Sequence, residues 1–313
     1  MSIYDHPDNP IPEGAVAGFI AADDGRKLRV ARWVPAQSHK RGTVCLFQGR
    51  AEYIEKYYET IRDLLVRGFA VATLDWRGQG GSQRFIRKTR RGHVVDFDEY
   101  GLDLAAFMTQ VVLPDCPPPY YGLGHSTGGL ILLHQAHEMR TRFRRYVLSS
   151  PFLGLGKYGI SEPAARVLAS FLANTGFSRS YIIGGSGRAV DSDPFEGNRL
   201  TGDLARYTRN QSVSKSVPQV TVGAPTIGWL RAAFRAIDQV KHPDFAERLR
   251  IPTLIMASTS DRIVSPFEIE RFSVTSKQVH LVMMSGAEHE LLQERAVYRE
   301  QFWAGFDSFV PGS

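Results

Sequence analysis

Gly124-His125-Ser126-Thr127-Gly128 follows the short apolar run Tyr120-Tyr121-Gly122-Leu123 and leads into the helix-like run at 130–138. That context places a serine on a sharp strand-to-helix turn. Gly124 and Gly128 leave room for the bend around His125, and a strained backbone at Ser126 would push its hydroxyl out of the sheet edge. The helix that starts there sets its positive end beneath an anion. G-x-S-x-G alone is a weak signal, because Gly and Ser are common in surface turns, so the rest of the chain has to decide.

A serine hydroxyl is a poor nucleophile until an imidazole takes its proton, and a carboxylate then fixes the tautomer of that imidazole. On a parallel sheet with such an elbow, acid and base follow the serine in that order, each just past a strand. Residues 252–258 read as a buried strand, and the polar segment 259–266 after it carries Asp261, the candidate acid. Residues 278–284 read as another strand, followed by Ser285-Gly286-Ala287-Glu288 and His289, the candidate base. His280 lies inside that strand, which favours a core or sheet-face role. Asp75 precedes the turn Trp76-Arg77-Gly78-Gln79-Gly80 and reads as a turn-stabilising side chain.

Acyl transfer also needs two backbone N–H donors for the tetrahedral oxyanion. Thr127, after the nucleophile, supplies one. The other is expected in Gln48-Gly49-Arg50-Ala51-Glu52, the loop after the strand-like run at 43–47, where Gly49 would turn the N–H of Arg50 toward the site. Losing one such donor in a comparable site raises the barrier by about 2.7–4 kcal/mol.

With these residues in place, the chain resembles the monoacylglycerol lipase and bacterial lysophospholipase branch of the α/β-hydrolases. The resemblance runs over most of the chain, through residues 48–52, the run Asp75-Trp76-Arg77-Gly78-Gln79-Gly80-Gly81-Ser82, the elbow, Asp261 and Gly286-Ala287-Glu288-His289. Residues 223–230 are similar to the bacterial lysophospholipase-like members. One departure is Gln48-Gly49, where the family usually has His-Gly; a glutamine amide both donates and accepts, and so can still hold the oxyanion loop.

The resemblance implies an α/β-hydrolase fold, a mostly parallel sheet flanked by helices with an inserted helical cap. The chain's own pattern agrees. Apolar runs alternate with amphipathic stretches over 44–149, as a parallel sheet with crossover helices requires, after a hairpin-like pair at 15–22 and 27–34. The strand signal stops at about 152–235 and resumes at 252. The expected organisation is therefore a first core part at 1–151, a cap at 152–235 and a second core part at 236–313. Val167, Leu168 and Phe171 form an apolar face on the cap helix expected at 162–174. They are candidates for substrate contact, weighed against plain packing of the cap. An apolar tunnel between cap and core suits an acyl chain, since about ten buried methylenes at roughly 0.8 kcal/mol each give on the order of 8 kcal/mol before ordering costs.

A chain of 313 residues is long enough for one large core with an insertion, and 43% hydrophobic and 22% charged residues are ordinary globular values. Residues 1–12 and 311–313 are the only stretches expected to be disordered. The start has no basic region followed by an apolar core, and no segment approaches the ~20 apolar residues of a membrane span. The expected place is the cytoplasm, with peripheral contact at the inner membrane surface as a further expectation. Cys45 and Cys116 give no disulfide framework.

The net charge of +6 makes anionic partners worth weighing. Arg84, Arg87, Lys88, Arg90 and Arg91 form one basic cluster, which reads as solvated surface or as a contact for an anionic membrane or phosphate head group. Arg140, Arg142, Arg144 and Arg145 form another, at a helix end. No basic and aromatic interleave supports nucleic-acid binding, and no obligatory protein partner is expected. His134 and His137 lack a third metal ligand at suitable spacing, and Gly78-Gln79-Gly80-Gly81 lacks the Lys and Ser/Thr of a phosphate loop.

The reading is a serine hydrolase that cleaves the carboxylic ester of a monoacyl lipid through an acyl-enzyme on Ser126, with no metal and no cofactor. On the resemblance, lysophospholipid comes first and monoacylglycerol next. A general carboxylesterase and a prolyl peptidase are alternatives on the same fold. A non-catalytic hydrolase-fold protein that binds a small acyl ligand is the alternative of another class.

Overall fold

The computed structural model describes residues 2–35, 41–86 and 89–311. The apolar runs form the strands β1 (Ala15–Ala21), β2 (Lys27–Trp33), β3 (Thr43–Phe47), β4 (Ala70–Leu74), β5 (Tyr120–His125), β6 (Phe143–Ser149), β7 (Thr253–Ser258) and β8 (Val279–Met284). They make one sheet in the order β1-β2-β4-β3-β5-β6-β7-β8. β3 to β8 pair in parallel, and β2 runs antiparallel to both β1 and β4.

Every residue of β3, β4 and β7 is buried, because helices cover both faces of a parallel sheet. Side chains alternate between the faces. Cys45 and Phe47 enter the core under the helices Asp98–Phe107, Thr127–His134 and Ile227–Lys241. Val44 and Leu46 enter the opposite core under Tyr58–Val66 and Ala296–Phe309.

The N-terminal segment differs from the expected loose tail. Ile3 is buried, Asn9 Nδ2 donates to the Glu55 carbonyl at 2.7 Å, and Trp33 Nε1 donates to the Pro12 carbonyl at 3.0 Å.

Between β6 and β7 the chain leaves the sheet and builds the helices Glu162–Leu172 and Leu204–Ser216. Ser161 and Asp203 cap their first turns by accepting from Ala164 N and Arg206 N. The boundary expected at 235 falls inside a single helix, Ile227–Lys241, whose start is capped by Thr226 accepting from Trp229 N. Trp229, Ala233, Ile237 and Val240 of this helix lie in the large core, so it packs as a sheet-flanking helix rather than as part of a cap. At its other root the inserted segment zips onto the loop after β7: Gly156 N donates to the Ile263 carbonyl at 3.0 Å, Lys157 N to Arg262 at 3.2 Å and Ser265 N to Gly154 at 3.0 Å.

Candidate active site

Ser126 sits between β5 and the helix Thr127–His134 with φ 49° and ψ −113°. A non-glycine residue there is strained by roughly 1–3 kcal/mol, and only the surroundings can hold it. They do so from both sides: Ser126 N donates to the Ser149 carbonyl at 2.9 Å, and the Ser126 carbonyl accepts from Leu130 N at 3.1 Å and Phe152 N at 3.0 Å. A Cβ on Gly124 would lie 2.9 Å from Gly129 N, and one on Gly128 would overlap the Phe47 carbonyl. The two glycines are therefore required by close approach, which is the physical content of the motif.

Asp261 follows β7 and His289 follows β8. Their side chains meet, with Nδ1 of His289 2.6 Å from Oδ2 of Asp261. The other carboxylate oxygen accepts from Ile263 N at 2.7 Å and Val264 N at 3.0 Å, which fixes its direction. Burial opposes charge on both groups, yet their mutual attraction prevails. The Asp261 carboxyl is held below the usual carboxylate range, aided by the two N–H groups, and the His289 imidazole is raised above its ordinary value. Ser126 and His289 line the same cavity of about 700 Å³. His280 stands outside it on β8, its ring 5.9 Å from that of Phe309.

The loop after β3 approaches the serine closely, as a Cβ built on Gly49 would lie 3.3 Å from Ser126 Cβ and 3.1 Å from the His125 ring. Its clamps are not those expected. Gln48 keeps its side-chain amide buried without a hydrogen-bond partner. Gln79 spans the loop instead, accepting from Ala51 N at 3.2 Å and donating to the carbonyls of Gly49 at 2.8 Å and Glu52 at 3.3 Å. Glu52 accepts from Gly49 N at 2.5 Å. The N–H groups flanking Arg50 are thus occupied, while those of Arg50 and Thr127 have no acceptor among the described residues.

Beneath the histidine lies a charged floor. Lys56 Nζ is 2.9 Å from Glu52 and 2.6 Å from Glu290. Burial works against both ionised partners, but the carboxylates raise Lys56, and Lys56 helps hold Glu52 down at about 2. The His125 ring lies 4.8 Å from the His289 ring, tilted 54° to it, and burial pushes its imidazole down to about 4. Glu52, His125 and Glu290 bring ligand-type atoms within 4.8 Å of one another. The Lys56 ammonium already lies against both carboxylates, so this donor set has its cation. Lys56 and Glu290 were missed in the sequence, where a lysine opening a helix-like run reads as a solvated one.

Of the apolar residues expected on the helix Glu162–Leu172, Leu168 lines the cavity together with Leu172, Phe152 and Trp229. Val167 and Phe171 do not; they point outward, 71% and 62% exposed. Arg84, Arg90 and Arg91 also lie outside the lining. They brace the returning segment: Arg84 donates to the carbonyls of Gln219 and Thr221, the Arg90 carbonyl accepts from Gly223 N, and Arg91 lies 5.0 Å from the Tyr181 ring. Arg87 and Lys88 lie outside the described residues. His134 contacts Gln239 and His137 contacts Arg140, so the two histidines do not converge.

A family model described as serine aminopeptidase, S33 (Hydrolase_4), matches residues 38–296. The chain belongs to this family of α/β-hydrolases. Lysophospholipase L2 of Escherichia coli (strain K12) is 35% identical over 293 residues, covering 90% of this chain and 83% of that protein. Monoacylglycerol lipase of Mycolicibacterium smegmatis is 27% identical, with coverage of 84% and 85%. A soluble variant of the Saccharomyces cerevisiae monoglyceride lipase, solved with a substrate analog, shares the fold with a TM-score of 0.75 at 20% identity, over 98% of this chain and 99% of that one. This α/β-hydrolase thus falls in the lysophospholipase and monoacylglycerol lipase branch. No helix among its described residues is long and apolar enough to cross a membrane.

Proposed function

We propose that the protein hydrolyses the carboxylic ester of a monoacyl lipid, lysophospholipid first and monoacylglycerol second, through an acyl-enzyme on Ser126. The observation that carries this reading is the Asp261–His289 pair, whose imidazole shares one largely apolar cavity with a serine held on a strained elbow. His289 takes the proton of Ser126 Oγ as that oxygen attacks the ester carbonyl carbon. The oxyanion is received by the N–H groups of Arg50 and Thr127. His289 then hands its proton to the departing glycerol oxygen, and a water activated by the same imidazole releases the fatty acid. In this reading the segment 153–226 serves as the cap, and its apolar inner face takes the acyl chain.

A peptidase acting on a free amino terminus would need a carboxylate to receive an ammonium group. The carboxylates in the cavity are already engaged: Glu52 and Glu290 by Lys56, Asp193 by Arg188 at 3.0 Å, and Asp191 by the Tyr53 hydroxyl at 3.2 Å. Ester hydrolysis leaves these pairs intact. Val167, Phe171, Phe177 and Ile183 are exposed apolar side chains on the inserted segment, which supports contact with a lipid surface from which substrate is drawn.

The test is fatty-acid release from oleoyl lysophosphatidylcholine and mono-oleoylglycerol, with Ser126→Ala as blank. Ser126-dependent release from either, faster on the lysophospholipid, is expected. Silence on both, with no labelling of folded protein by a serine-directed fluorophosphonate, would replace this reading with a ligand-binding one.

A further inference from the structure

Three lysine or arginine side chains line the cavity, Arg50, Lys56 and Arg188, and they differ in what neutralises them. Lys56 lies between Glu52 and Glu290, and Arg188 pairs with Asp193. Arg50 has no carboxylate at ion-pair distance among the described residues. Its guanidinium gives one hydrogen bond, from Nη1 to the Gly223 carbonyl at 2.8 Å, and lies 5.8 Å from the centre of the Trp229 ring. A guanidinium carries several donors in a rigid fork, so on this cavity-lining residue the rest of the fork has no hydrogen-bond partner among the described residues. Burial without a counter-ion pushes it down to about 10, the sense expected of a cation that has lost water and gained no anion.

The reach of this cation from the reacting carbonyl is bounded by covalent geometry. The Arg50 N–H belongs to the proposed oxyanion hole. From that nitrogen to the guanidinium carbon the path is about six single bonds, each about 1.5 Å. In a 1-acyl lysoglycerophospholipid the path from the acyl carbonyl carbon through the glycerol to phosphorus is also about six such bonds. One arginine can therefore reach both ends of the same fragment, backbone at the carbonyl oxygen and side chain at the phosphate. Arg84, Arg90 and Arg91 cannot compete for that role from outside the cavity.

We propose that the Arg50 guanidinium binds the phosphate of a lysoglycerophospholipid head group while the acyl ester lies at Ser126, so that this side chain separates phosphate-bearing monoacyl lipids from monoacylglycerols. The inference rests on the ester-hydrolase reading above. Arginine suits the task because its fork matches a phosphate through two parallel hydrogen bonds. A monoacylglycerol offers only hydroxyls and leaves the cation without its counter-charge. A plain tether between core and cap would use the single bond to Gly223, and any donor would serve.

Two measurements on the full chain test it. The first is kcat/KM on oleoyl lysophosphatidylcholine relative to mono-oleoylglycerol, for wild type, Arg50→Lys and Arg50→Met. The backbone N–H survives both substitutions. The ratio is expected to fall about tenfold or more in Arg50→Met, the size of a lost charge-assisted hydrogen bond, with Arg50→Lys between. A tether that loosens the cap would lower both substrates by one factor and leave the ratio unmoved, which overturns the proposal. The second is calorimetric binding of a 1-O-alkyl glycerophosphocholine and the matching 1-O-alkylglycerol, neither of which has an ester to cleave. Tighter binding of the phosphate-bearing ether that disappears in Arg50→Met supports the inference even if neither ester is hydrolysed, in which case only the ester-hydrolase reading fails. Equal affinity of wild type for the two ethers sinks it while leaving hydrolysis intact. Competition by glycerol phosphate as strong as that of the ether lipid would reassign the site to free phosphate esters and overturn the lipid head group as its ligand.

Discussion

Two buried cations, each held between two carboxylates, lie a short stretch of chain apart and have opposite characters. Arg29 donates to Glu55 through both terminal nitrogens at 2.7 and 2.8 Å, and to Asp75 through Nε at 2.6 Å. Asp75 also accepts from Ile54 N and Gly81 N, and Glu55 from Tyr4 N, so this cluster is closed and ties β2, the turn after β4 and the N-terminal segment together. The Lys56 cluster is open. It faces the cavity, adjoins His289, and has beside it a His125 Nδ1 with no hydrogen-bond partner. Saturated buried polar networks specify structure, whereas an unsaturated one marks a place where chemistry or ligand completes the pattern.

The largest effect that sharpens this contrast comes from the two carboxylates that orient something. Asp261→Asn is expected to lower kcat about 10⁴-fold, since the wrong histidine tautomer is then favoured, with unfolding by denaturant little changed. Asp75→Asn should do the reverse, lowering stability while turnover per folded molecule holds. If Asp75→Asn also abolishes turnover in folded protein, the closed cluster is not merely structural.

Next come the cations. Arg29→Met and Lys56→Met each strand buried carboxylates and should cost about 3–5 kcal/mol of stability, read from urea midpoints. Only Lys56→Met is expected to change kcat/KM per folded molecule. Equal behaviour of the two in both assays would erase the distinction.

The smallest effect is on the pH profile. His289 must be neutral to accept the serine proton, and Asp261, Glu290 and Glu52 all raise its pKa. Activity should therefore be lost as pH falls through a midpoint above the ordinary histidine value of about 6.5. Glu290→Gln removes one of these charges and should move that midpoint toward acid, whereas Glu55→Gln in the closed cluster should leave it in place.

The elbow at Ser126 and the loops that bring Asp261 and His289 together were legible because each rests on local pattern. Gly124 is demanded by its close neighbour Gly129 and Gly128 by the end of β3, yet both belong to one five-residue motif, and Asp261 and His289 follow strands recognisable by their apolar runs. The floor was not legible. Lys56 opens a helix-like run as any solvated lysine might be written, and its burial depends on Glu290, far along the chain. Periodicity gives Val167, Leu168 and Phe171 a common apolar stripe without saying which edge of it turns inward, and only Leu168 does. The boundary expected at 235 missed because one helix begins in a Gly-rich segment and ends as core. Gln79 went unnoticed as the clamp of the loop after β3 because its partners are backbone groups, which leave no trace in side-chain pattern.

The zipper between residues 154–157 and 262–265 uses the same loop whose Ile263 and Val264 N–H groups hold Asp261. The root of the inserted segment and the orientation of the acid therefore share one scaffold. A hinge at that root would have to unfasten the segment that aims the acid each time the site opened. Opening on residues beyond Lys157 would leave this root, and with it the direction of the Asp261 carboxylate, undisturbed.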